Sequence, residues 1–110
     1  MFNLAYELAV RILHLTESWS CRFDWLAEQI MRSSESVAAN IAEGFESQHP
    51  KEYLRSLYIA RREAGETKVH LRYAHDAGLT SADECDGLCR DYDRVGQMLW
   101  GLIRSLGSRV

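Results

Sequence analysis

Proline occurs once in 110 residues, cysteine three times, and no stretch is low in complexity. Those scarcities exclude several classes. A chain this poor in proline with 46% hydrophobic residues is folded rather than disordered. No apolar run approaches the ~20 residues that span a bilayer. Cys21, Cys85 and Cys89 are an odd set, which argues against a disulfide framework and for a reducing compartment. The start, Met1-Phe-Asn-Leu-Ala-Tyr-Glu-Leu8, lacks the basic opening and small-residue cleavage site of a secretory signal. A cytoplasmic protein with no membrane contact is expected. A net charge of −3 and a pI of about 5.8 argue against strong non-specific nucleic-acid binding, which depends on neutralising phosphates.

What is present is helical periodicity. Leu4, Leu8, Ile12 and Leu15 share one face of a first helix over residues 2–16. After the polar break at 17–20, a second helix is expected over 22–44, with Gly44 suited to end it. Pro50 suits the first turn of a third helix, 50–77, with Tyr53, Leu57, Ala60, Ala64, Leu71 and Ala74 as its seam. Gly78 stops that helix, and Ser81-x-x-Glu84 reads as a capping box opening a fourth over 81–106. There Leu88, Tyr92, Val95, Leu99, Leu102 and Leu106 alternate steps of four and three, the spacing of coiled-coil packing. No alternating strand pattern competes. Short connections between long helices give an all-α, single-domain, antiparallel up-down-up-down four-helix bundle.

The second helix carries the least ordinary pattern. Gln29, Ser33, Ser36, Asn40 and Glu43 form a polar stripe beside the apolar one of Leu26, Ile30, Val37 and Ile41. Short polar residues in that position imply close approach by another helix, with Asn40 and Glu43 finding partners across the contact. Asn40 would fix helix register, as buried asparagine does in coiled coils, and Glu43 would cap or pair with an arginine. The other reading makes the two residues a polar groove for a partner or RNA.

The block Asn40-Ile-Ala-Glu43-Gly44, with Ser36-Val37 before it and Glu52-Tyr53-Leu54-Arg55, Leu57, Ile59-Ala60-Arg61 and Glu66 after it, resembles the four-helix-bundle family encoded in intervening sequences of bacterial 23S ribosomal RNA genes. The resemblance implies a small cytosolic bundle without enzymatic activity that forms a homo-oligomeric ring, a pentamer. It marks Ser36, Asn40, Glu43 and Gly44 as the structural and assembly motif. A related group of bundles works beside reverse transcriptases in diversity-generating retroelements, which implies RNA or a polymerase as partners. The chain departs from the family at Ala38, where proline is usual, at Ser47, where arginine is usual, and at His49, often serine. The missing arginine at 47 removes a charge from that loop.

Candidate chemistry is sparse. No helical segment carries the Glu-x-x-His pair of di-iron bundles. Glu66 and His70 are a single pair four residues apart. Cys85 and Cys89, one turn apart, would bind zinc only with His70 or His75 brought in, and otherwise pack as small hydrophobes. No base and orienting group set up a cysteine nucleophile, and no Gly-rich phosphate loop occurs. Catalytic residues, metal and cofactor are therefore all expected to be absent.

Charge is uneven. Residues 51–72 hold six basic side chains against three acidic ones, and residues 80–94 hold two against five. The segments would attract each other within a protomer or between copies. Arg55, Arg61, Arg62, Lys68 and Arg72 also form a possible RNA or partner patch, with Tyr58 and Tyr73 available for stacking. The first helix, at ~1.5 Å per residue, reaches only about 22 Å against about 40 Å for the third. Apolar surface near Trp19, Trp25 or Trp100 then needs another cover, for which a second copy is the economical candidate. Ala38, Ala39, Ala42, Gly65 and Gly96 leave room for it.

Overall fold

A computed structural model of the protein describes residues 1–108 and consists of four α-helices with no strand among them: α1 (Phe2–Thr16), α2 (Asp24–Glu46), α3 (Pro50–Asp76) and α4 (Ala82–Gly107). The bundle measures 46 × 21 × 19 Å. Each helix packs on its neighbours in sequence, and α1 closes the square on α4. The backbones of the diagonal pairs α1/α3 and α2/α4 do not adjoin among the described residues, as an up-down-up-down order with short loops requires.

The core runs along one stripe of each helix: Ala5, Leu8 and Ile12; Leu26, Ile30, Val37 and Ile41; Leu57, Ala60, Ala64, Leu71 and Ala74; Leu88, Tyr92, Val95, Leu99 and Ile103. Four expected seam positions shift, Leu106 among them, which is only partly buried. Leu4 and Leu15 are only partly buried, and Ala5 and Thr16 take the interior places. On α4 the seam moves from Leu102 to Ile103. A straight helix of 3.6 residues per turn drifts against a 3.5-residue repeat, so the stripe slips by one residue after two heptads. Tyr53 is half-buried rather than interior.

The ends of the helices follow local chemistry. A 3₁₀ turn over Cys21–Phe23 precedes α2, so the helix begins at Asp24 rather than 22. It also runs past Gly44 to Glu46. At the end of α3 the Gly78 N–H donates to His75 O and the Leu79 N–H to Ala74 O, both at 2.9 Å. Gly78 has a φ of 81°. The two bonds and the left-handed glycine make a Schellman cap. Ser81 Oγ accepts from the Glu84 N–H at 3.1 Å while Glu84 Oε1 accepts from the Ser81 N–H at 3.4 Å, so α4 opens on a complete capping box.

Candidate interaction surfaces

Gly44 lies inside α2, not at its end, and its role is steric. A Cβ there would sit 2.6 Å from two ring carbons of Tyr53. The glycine lets the Tyr53 ring at the start of α3 lie flat on α2, with Phe45 at 6.0 Å beside it. Asn40 is half-buried, and its Nδ2 donates to Ser36 O at 2.9 Å and Ser36 Oγ at 3.0 Å. Its partner is thus in its own helix. Glu43 is exposed and has no ion pair among the described residues. It borders a shallow hollow with Glu46, Ser47 and Glu52. Ser47, in the place where the resembled family carries arginine, ties the loop instead: its hydroxyl donates to Glu52 Oε2 and accepts from the His49 N–H, both at 3.3 Å.

A buried polar contact that does cross between α2 and α3 is Ser33 with Thr67, their hydroxyls 2.8 Å apart. Both hydroxyls also reach back to carbonyls of their own helices, Ile30 O and Glu63 O. Sequence reasoning placed Ser33 in the polar stripe but missed Thr67. Thr67 takes the interior place between Ala64 and Leu71 on the α3 stripe.

Glu63 was missed as well. It is only 5% exposed, with Arg62 at 3.6 Å and Arg32 of α2 at 3.8 Å. Burial, and then the negative Glu66 beside it, raise its carboxyl above the ordinary glutamate value, against the pull of the two arginines. Arg32 also reaches Glu66 at 3.7 Å and Gln29 Oε1 at 3.3 Å, so one guanidinium spans the α2/α3 seam. Burial lowers His70 at the end of this cluster.

Two grooves flank the bundle on opposite sides. Between α3 and α4 lies one of about 1000 Å³, lined by Arg55, Tyr58, Arg61, Arg62, Lys68 and Trp100 over a floor that includes Gly65 and Gly96. Four of the five expected patch residues meet there. Arg72 belongs to an adjoining hollow with Val69 and Tyr73. Arg61 stands 4.6 Å over the Trp100 ring. Lys68 bonds Asp93 of α4, which is the direct ion pair between the basic and acidic segments among the described residues. Asp91 instead pairs with Arg11 of α1 at 3.3 Å and Arg94 at 3.7 Å. Between α1 and α2 lies an apolar trough of about 710 Å³, walled by Tyr6, Val10 and Leu13 and floored by Ala38, Ala39 and Ala42.

The cysteines are all free. Cys85 is buried and its Sγ lies 3.6 Å from Leu71 O. Burial first, then the neighbouring Cys85, pushes the Cys89 thiol up to about 11, away from the thiolate that a metal or a nucleophile needs. Among the described residues no group of three or more His, Cys, Asp or Glu side chains is arranged to hold a metal ion. Glu46 and His49 have the di-iron spacing but straddle the end of α2. Among the described residues no helix is long and apolar enough to cross a membrane.

With this geometry in hand, comparison with known proteins gives a clear relation. The family of 23S rRNA-intervening sequence proteins matches residues 1–101. The chain belongs to that family. A solved structure with the same fold is a protein of unknown function from the S23 ribosomal protein family of Bacteroides thetaiotaomicron VPI-5482, with a TM-score of 0.87, 26% identity and 94% of each chain covered. No curated protein matches the chain. Membership in the 23S rRNA-intervening sequence family accounts for the four-helix architecture. The solved relative is itself described as of unknown function.

Proposed function

We propose that this 23S rRNA-intervening sequence protein is a non-enzymatic, homo-oligomeric interaction bundle of the cytoplasm, five copies closing a ring. The observation that carries the reading is the unmatched length of the helices. α1 has 15 residues against 27 in α3, and the flank it half covers keeps Phe2, Tyr6 and Leu13 exposed beside the alanine-floored trough. Clustered apolar side chains on a small soluble bundle mark a contact surface. The number five comes from the family resemblance. Three free thiols fit a reducing compartment. Light scattering after size exclusion tests the assembly: a peak near five times 12.6 kDa supports the ring, and a monomer ends the reading.

A second reading has its own observation. Arg55, Arg61 and Arg62 line one groove with Tyr58 and Trp100, the mixture of cations and rings that single-stranded RNA uses. On this reading the protein is an RNA-associated accessory to ribosomal RNA or to a reverse transcriptase. Its affinity for a single-stranded RNA should fall steeply with salt and fall again in Arg61→Ala/Arg62→Ala. An affinity indifferent to both would dismiss it.

A further inference from the structure

We infer that copies of this chain join head to tail, the α3/α4 flank of one seated on the α1/α2 flank of the next. The inference rests on the self-assembly reading above and adds which surfaces meet.

Topology comes first. Because the helix backbones adjoin only between sequence neighbours and between α1 and α4, the α1/α2 and α3/α4 grooves face opposite ways. A contact between two different surfaces is heterologous: it closes into a ring when the rotation per copy divides the circle, and it uses each surface once per protomer.

Shape is complementary. The α1/α2 trough is apolar, with alanines along its floor at 38, 39 and 42. The opposite flank carries the half-exposed rings of Tyr58 and Trp100. Large aromatic side chains seated over alanines are the knobs and holes of close helix packing.

Charge is complementary too. Residues 1–46 hold seven acidic and three basic side chains, a surplus of −4, whereas residues 50–107 balance at nine of each, with Arg55, Arg61, Arg62 and Lys68 gathered at the α3/α4 groove. Within the trough Arg32 is turned away to Glu63 and Glu66. That leaves Glu35 at the rim, exposed and without an ion pair among the described residues. Facing outward from the other flank, Arg55 has no carboxylate partner among the described residues, and Arg61 has only the Trp100 ring. A Glu35 carboxylate from one copy and an arginine of the next answer each other. Opposite potentials of this kind set register and partner choice.

The test blocks each flank separately and then mixes. Arg55→Glu/Arg61→Glu reverses charge on the α3/α4 flank, and Tyr6→Glu/Leu13→Glu disrupts the α1/α2 flank; all four positions are exposed. Each variant alone should scatter as a monomer. Mixed in equal amounts, they should form a dimer of one copy each, because one intact flank of each kind remains, and growth stops at two. Circular dichroism identical to the parent excludes unfolding; if the glutamates unfold α1, Tyr6→Ala/Leu13→Ala replaces them. A variant that keeps the parental mass overturns the assignment of its flank, and a mixture that stays monomeric overturns the head-to-tail arrangement. A monomeric parent protein instead sinks the self-assembly reading itself. Parent protein that co-elutes with nucleic acid, lost in Arg55→Glu/Arg61→Glu at unchanged mass, would show that the α3/α4 groove serves RNA and would also overturn the inference.

Discussion

At the scale of single residues, Gly44 and Glu63 give the sharpest tests, one of close packing and one of a buried charge. Gly44→Ala places a methyl 2.6 Å from the Tyr53 ring, and the ring must move or the α2/α3 contact must open. Overpacking of this kind costs about 1–3 kcal/mol. Chemical denaturation should show that loss, and Tyr53→Ala in the same chain should make the methyl harmless. If Gly44→Ala alone is neutral, the close approach is not what fixes this residue. Glu63 gives a pH signature. A carboxyl raised in the folded state binds its proton more tightly there than in the unfolded chain. Its contribution is greatest in acid and is lost as pH rises from the ordinary glutamate value through the raised one. Glu63→Gln, held neutral, should match the parent near pH ~4 and become the more stable of the two toward pH ~7. His70 titrates in both proteins, so the difference in thermal midpoint isolates Glu63. A difference independent of pH would contradict the raised value.

At the scale of elements, the helix ends are set by short-range chemistry and should respond one at a time. Ser81→Ala removes one half of the α4 capping box and should cost about 1 kcal/mol, with fraying of the first α4 turn seen as faster amide exchange at 84–86. Ser81→Asp, which keeps an acceptor, should restore most of it. Such punctuation is why the four helices and their order were legible in the sequence. Pro50, Gly78 and Ser81-x-x-Glu84 act on the backbone next to them and need no knowledge of the rest of the fold. What was not legible depended on partners distant in sequence. Thr67 and Glu63 look like surface residues until Ser33 and Arg32 are brought opposite them. Gly44 looks like a helix terminator until Tyr53 lies against it. The slip from Leu102 to Ile103 is an accumulated rotation, invisible to a local count. The basic patch was legible because Arg55, Arg61, Arg62 and Lys68 follow one face of one helix. Its separation from Arg72 was not, since that depends on where α4 crosses.

At the scale of the whole molecule, the three tryptophans divide cleanly. Trp19 is buried at the turn before α2, whereas Trp25 and Trp100 are exposed. Trp25 meets Tyr73 edge-on at 5.4 Å, and neither residue lines the two grooves used in the head-to-tail contact, whereas Trp100 lines one of them. Acrylamide quenching of single-tryptophan variants should therefore change with dilution for Trp100 and stay constant for Trp25. Equal behaviour of the two would place the contact elsewhere.

The square of helices closes along one seam whose partners are far apart in the chain. Every other adjoining pair joins neighbours in sequence, and the α1/α4 seam is the narrowest, bridged among the described residues by one ion pair, Arg11–Asp91, across a largely exposed edge. An exposed pair of that kind contributes about 0–1 kcal/mol. Hairpins of adjacent helices form quickly because their loops are short, and the distant closure is the slow entropic step. In an isolated copy, α1 is then the leaf that opens first: its amides should exchange ahead of those of α2, α3 and α4 by a path that leaves the other three helices folded. A protein built to assemble would hold that leaf shut by company rather than by its own core, so its protection should rise with concentration.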